Sequence, residues 1–170
     1  YNSMAGVLLR QGQLDQALGL YEKALAIKVK ALGPDHTSVA ATYYSMANVL
    51  KQQGELGKAV GLYEKCLDIE VKALGPDHTD VAGTYNSMGG LLRQQGELGK
   101  ALGLYEKALA IEVKLGPDHT NVALTYTSMA NVLQEQGELA RALGLYEKAL
   151  AIYIKALGPG HIDGARLYHN

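Results

Sequence analysis

The strongest constraint on this chain is that it repeats itself. Leu-Gly-Pro-Asp-His-Thr stands at 32–37, 74–79 and 115–120, and a weaker copy, Leu157-Gly158-Pro159-Gly160-His161-Ile162, follows. Gly-Leu-Tyr-Glu-Lys begins at Gly19, Gly61, Gly103 and Gly144, so the unit is 42 residues long twice and 41 once. The short step arises because Val71-Lys72-Ala73-Leu74 becomes Val113-Lys114-Leu115. A chain of near-copies at this period folds as stacked supersecondary units, each burying its apolar faces against its neighbours.

Each unit reads as two helices. The first runs roughly over 37–53, where Tyr43, Met46, Ala47 and Leu50 share one face at helical spacing. Gly54 breaks the pattern where a helix end is expected. The second starts near Glu55 and runs to about Leu74, with Ala59, Tyr63 and Cys66 on one stripe and Leu62 and Ile69 on a neighbouring one. Gly75-Pro76 ends it, because Pro cannot continue a helix. Asp77, His78 or Thr79 can then cap the next first helix.

Small residues recur at Ala5, Ala47, Gly89 and Ala130 and at Ala17, Ala59, Ala101 and Ala142, opposite the large Tyr21, Tyr63, Tyr105 and Tyr146. This predicts small-against-large packing in every unit. Gly19, Gly61, Gly103 and Gly144 fall inside the second helix, each at roughly 1 kcal/mol of lost helix propensity. Their recurrence predicts a neighbouring helix crossing too closely for a larger side chain. The missing alanine before Leu115 predicts a shorter connection between the third and fourth units, with a local shift in packing. Units are placed near 1–32, 33–74, 75–114 and 115–157, with 158–170 as the start of a further repeat or a tail. The whole predicts an all-α chain, a right-handed superhelical solenoid of antiparallel helix pairs.

Gly54 followed by Ala59, Tyr63 and Cys66-Leu67, and then by Leu74-Gly75-Pro76-Asp77-His78, resembles the tetratricopeptide repeat in its 42-residue variety, found in kinesin light chains and in many bacterial and protist proteins. Gly96-Ala101-Tyr105-Ala108 and Gly137-Ala142-Tyr146-Ala149 repeat the pattern, so the resemblance covers essentially the whole chain. Two departures stand out. Thr37, Thr79 and Thr120 occupy positions where that family usually has Pro. The units are also more alike than those of kinesin light chains, which argues for recent duplication and against a true kinesin light chain. The resemblance implies a non-enzymatic interaction scaffold, with ligand peptides lying across the first helices on the concave face.

The stripe of each first helix turned away from the packing residues varies between copies while the packing positions stay fixed. It carries Ala41, Tyr44, Asn48, Lys51 and Gln52 in one unit, and Gly83, Asn86, Gly90, Arg93 and Gln94 in the next. The first unit contributes Asn2, Gly6, Leu9 and Arg10, and the last Leu124, Thr127, Asn131, Gln134 and Glu135. The predicted peptide-binding residues are Asn2, Tyr44, Asn48, Lys51, Asn86, Arg93, Thr127, Asn131 and Gln134. Asn side chains can donate to and accept from a peptide backbone. Lys51 and Arg93 suit an acidic side chain or terminal carboxylate, Arg in bidentate fashion. Tyr44 offers a flat apolar contact.

Other classes fare less well. Sixteen basic against seventeen acidic residues give a net charge of −1, with no basic surface for nucleic acid or anionic membrane. No apolar run approaches the ~20 residues that span a bilayer, and the start lacks a signal peptide's pattern. Cys66 is the only cysteine, which fits a reducing, cytoplasmic setting. It replaces Ala24, Ala108 and Ala149 in an apolar stripe and reads as a small buried hydrophobe. Asp35-His36, Asp77-His78 and Asp118-His119 carry metal-ligating groups, but loops a whole repeat apart cannot gather three or four ligands on one ion. They read as loop geometry and capping. No phosphate-cradling loop, nucleophile elbow or paired carboxylate appears, so no enzyme, cofactor or metal is expected. Ser45, Ser87 and Ser128 read as small polar helix residues, and Glu22-Lys23, Glu64-Lys65, Glu106-Lys107 and Glu147-Lys148 as a solvated face. Tyr1 aligns with Tyr43, and 161–170 resembles the opening of another first helix. Ends without polar caps predict end-to-end self-association as the alternative to peptide binding.

Overall fold

The computed structural model describes residues 1–157, and among them there are eight helices and no strands. These are α1 (Asn2–Arg10), α2 (Leu14–Leu32), α3 (Thr37–Gln52), α4 (Leu56–Leu74), α5 (Thr79–Gln94), α6 (Leu98–Leu115), α7 (Thr120–Glu135) and α8 (Leu139–Leu157). The weaker loop copy at 158–162 and the expected opening of a further first helix lie outside the described residues. The chain divides into two compact units, Tyr1–Thr84 and Tyr85–Asn170, with the division falling inside α5.

The turn within each repeat is a Schellman closure. Gly54 has φ +80, its N–H donates to the Lys51 carbonyl at 3.1 Å, and the Glu55 N–H donates to the Leu50 carbonyl at 2.9 Å. Those bonds satisfy carbonyls that the end of α3 would otherwise leave open. Gly12, Gly96 and Gly137 close the other three hairpins in the same way. Of the three candidate caps between repeats, histidine takes the role. His36 Nδ1 accepts from the Ser38 N–H at 3.1 Å, His78 from Asp80 at 3.1 Å and His119 from Asn121 at 3.2 Å.

In the first unit α1 packs on α2, α2 on α3 and α3 on α4. Ala5, Ala17, Tyr21, Met46 and Val49 form one buried cluster, and Val39, Ala40, Cys66 and Ile69 another. Tyr63 and Cys66 are fully buried. Burial and the neighbouring Glu70 carboxylate push the Cys66 thiol up to about 12, so it stays neutral and packs as a hydrophobe. In the second unit α6 packs on α7 and α7 on α8. Ala101, Tyr105, Met129 and Val132 make its main cluster. A Cβ on Gly89 would stand 2.9 Å from the Tyr105 ring, so the small-against-large rule holds there with no room for alanine.

Two expectations need correcting. Nothing lies within 4 Å of a Cβ added at Gly19, Gly61, Gly103 or Gly144, so no helix crosses closely over these glycines. The connection before α7 is not shorter: four residues, 116–119, join α6 to α7, just as 75–78 join α4 to α5. The deletion is taken from the helix instead, since α6 has 18 residues where α4 has 19. Its closing glycine changes with it. Gly75 sits at φ 90, ψ 158, a region essentially confined to glycine, whereas Gly116 is extended at φ 172, ψ 102. The Glu-Lys pairs lie on an exposed face as expected, and Lys65, Lys107 and Lys148 also lie over the rings of Tyr43, Tyr85 and Tyr126 at 5.6–5.7 Å.

Candidate functional site

A niche recurs wherever one first helix passes to the next, and the sequence reading missed it. The buried threonines Thr42, Thr84 and Thr125 stand at equivalent positions near the starts of α3, α5 and α7. Each meets a polar side chain from the preceding second helix: Lys28, Glu70 or Glu112. Lys28 Nζ donates to Thr42 Oγ1 at 2.8 Å and to the Ser38 carbonyl at 3.0 Å. Thr84 donates to Glu70 at 2.8 Å, and Thr125 donates to Glu112 at 2.7 Å. Both carboxylates are only 7% exposed, which is unusual enough for Glu to require such a partner. Burial pushes the Glu112 carboxyl above its ordinary range, against the opposing effects of Thr125, Asn86 and His119. Burial also lowers the pKa of Lys28. The available signal was a charged residue recurring inside an otherwise apolar stretch of the second helix, opposite an unchanging threonine one unit on.

The residues expected to bind peptide fall on this framework in two different registers. Asn2, Tyr44, Asn86 and Thr127 form one series. Asn86 Nδ2 donates to Glu112 Oε1 and to Thr125 Oγ1, both at 2.9 Å, and its Oδ1 accepts from Thr125 at 3.2 Å. It is therefore occupied in closing the niche beneath it. Asn2 is half-buried, with its Oδ1 buried and without a hydrogen-bond partner. Tyr44 turns edge-on to Tyr63, ring centroids 5.3 Å apart. The Thr127 hydroxyl donates to the Ala123 carbonyl. Asn48 and Asn131 form the second series with Gly6 and Gly90. They accept from the Tyr63 hydroxyl at 2.8 Å and the Tyr146 hydroxyl at 2.5 Å. Gln134 shares that Tyr146 hydroxyl at 3.0 Å. Where glycine stands instead, the tyrosine hydroxyl comes within 3.9 Å of the Cβ position at Gly6 and within 3.5 Å at Gly90.

The two cations differ as well. Arg93 pairs with Glu135, Nε to Oε1 at 3.1 Å, and Lys51 is half-buried in the last turn of α3. Asn2, Tyr44, Asn48 and Lys51 belong to the first unit, and Asn86, Arg93, Thr127, Asn131 and Gln134 to the second. In the first unit a groove of about 430 Å³ opens between α3 and the start of α5. Tyr44 and Ser45 wall one side, Asp80 and Gly83 the other, with Glu70 and Thr84 also lining it. Among the described residues no three His, Cys, Asp or Glu side chains are grouped to hold a metal ion, and no helix is long and apolar enough to cross a membrane.

Solved structures with this architecture are known. BtubC (BKLC) from P. vanneervenii superposes with a TM-score of 0.85 at 26% identity, over 95% of this chain and 64% of that one. The chain thus spans under two thirds of the BtubC chain. A kinesin light chain-type protein of nearly identical TPR-like repeats from Podosopora anserina superposes at 0.84 with 25% identity, over 99% of this chain and 80% of that one. A single-substitution variant of that protein gives 0.85 over the same coverage. A search of curated proteins returns no match. The tetratricopeptide repeat model matches at 1–70, 39–112, 80–155 and 121–170, a series of overlapping matches that leaves no stretch of the sequence uncovered. The chain belongs to the tetratricopeptide repeat family.

Proposed function

We propose that this protein is a non-enzymatic scaffold that holds an extended peptide or partner protein against the first-helix face of its units. Repeats of this family are generally protein-interaction scaffolds, and the observation that carries the reading is the contrast along these helices. Thr42, Thr84 and Thr125 and the buried Met46, Met88 and Met129 stay fixed, while the groups above them change from Tyr44 to Asn86 and from Lys28 to Glu70. A fixed frame with changing polar contacts is what side-chain recognition on a rigid surface requires. A cytoplasmic setting accompanies the reading, with Cys66 the single thiol.

Lys51 offers a partner more than Asn86 does, because the Asn86 amide is already shared between Glu112 and Thr125. Hydrogen exchange with a peptide selected from a random library tests the reading. Protection confined to α3, α5 and α7 is expected. Protection confined to the second helices, or none at all, overturns it.

A further inference from the structure

We infer that the groove between α3 and the start of α5 is a receptor for a single cationic side chain of a partner, an alkylammonium such as that of lysine, held by Glu70. This rests on the peptide-holding reading and names the chemistry of one of its subsites.

Three observations converge. Glu70 is a buried carboxylate lining an open groove, and its hydrogen bonds come from neutral donors, the Thr84 hydroxyl at 2.8 Å and the Cys66 thiol. A carboxylate so placed keeps unused acceptor capacity and gains most from a charged donor. Asp80 adds a second carboxylate on the opposite wall. The chain itself shows, one repeat earlier, that this frame accepts an ammonium: Lys28 Nζ sits on the Thr42 hydroxyl and the Ser38 carbonyl. Thr84 and Asp80 are the equivalents of Thr42 and Ser38, so the same acceptors recur with the internal lysine replaced by glutamate. The niche that supplied its own cation now presents a negative charge.

Space agrees with charge. Gly83 stands on the groove wall where the equivalent residue in α7 is Leu124, and a Cβ added at Gly83 meets nothing within 4 Å. Tyr44, held edge-on to Tyr63, offers the methylene stem of a lysine an aromatic wall. The contrast with Glu112 sharpens the assignment. There Asn86 takes Oε1 of the carboxylate for itself, whereas Tyr44 occupies the corresponding position above Glu70.

The test uses two short blocked peptides that differ only in lysine against norleucine, which keeps the aliphatic stem without the charge. Both are titrated into the isotope-labelled protein and followed at the backbone amides. The lysine peptide is expected to shift Ser45, Gly83 and Thr84 with about tenfold tighter apparent binding than the norleucine peptide. Glu70→Gln should erase that preference, and Gly83→Leu should remove groove shifts for both peptides while leaving helical content intact. Equal binding of the two peptides overturns the cation assignment while leaving the peptide-holding reading standing. A preference that survives Glu70→Gln overturns Glu70 as the recognising group. Absence of shifts on any first helix overturns both readings together. Should Glu70→Gln fail to fold, Asp80→Asn on the exposed wall still weakens the lysine preference severalfold if the groove recognises charge, and an unchanged preference counts against it.

Discussion

The niches around Glu70 and Glu112 are built from the same parts and do opposite things. Each has a buried glutamate from a second helix and a threonine from the next first helix that donates to it. Above Glu112 stands Asn86, whose amide ties carboxylate and threonine into a closed triad. Above Glu70 stands Tyr44, turned towards Tyr63, and a groove lies open beside it. One position on a varying face thus decides whether a buried charge is satisfied from within or remains available. Variation on a repeat surface is not by itself a map of ligand contacts, because some of it changes how the scaffold completes its own hydrogen bonds.

The comparison is most exposed to test in the threonines. Thr125→Val removes the donor to Glu112 and a partner of Asn86 in a closed site, and should cost about 3 kcal/mol. Thr84→Val removes one donor from a carboxylate that groove water can reach, and should cost about 1 kcal/mol. Urea unfolding midpoints read the difference, and equal losses would break the distinction between closed and open niches. Next in size come the glycines that close α4 and α6. Gly75→Ala must place a Cβ at φ 90 and should cost about 2 kcal/mol, whereas Gly116→Ala, at an extended φ, should cost under about 0.5 kcal/mol. Thermal melts of the two variants check this.

Smaller effects follow from the second-helix interiors. Gly61→Ala and Gly103→Ala should each stabilise by about 0.5–1 kcal/mol and to the same degree in both units, since neither added methyl meets an obstacle. A loss in either would restore the close-crossing explanation. The smallest is a pH effect. Because burial raises the Glu112 carboxyl in the folded chain, the folded state binds its proton more readily than the unfolded one. Its contribution is fully present below the ordinary glutamate range and is lost as pH rises through the raised value. Glu112→Gln should flatten that decline in a series of urea midpoints, and an unchanged slope would assign it to other carboxylates.

Helix ends were legible in the sequence because glycine and proline mark them with local chemistry that no tertiary contact overrides. Gly54 and Gly75-Pro76 bracket α4 to within a residue of where it lies. The pairing of Gly89 with Tyr105 was legible too, since repetition places small and large residues at fixed offsets. The choice of His78 over Asp77 or Thr79 as cap was not, because it depends on backbone angles in the loop. Nor were the roles of Asn48 and Asn86. They look alike in composition, but one accepts from Tyr63 in its own repeat and the other reaches Thr125 in the next. Contacts between repeats depend on pairs of residues about 40 positions apart, such as Asn86 and Thr125, and helical periodicity is silent about them.

The missing residue before Leu115 has a consequence for how such a chain changes in length. Tracts of near-identical units are copied and lost by recombination that need not cut in register. A junction that demanded a fixed count would turn each uneven cut into a misfolded array. Here the helix gives up one residue, the closing glycine swings from φ 90 to φ 172, and the next four-residue loop still delivers its histidine to the following helix. The end of α6 behaves as an expansion joint, so a residue can be lost there while the next unit still begins with its histidine in place.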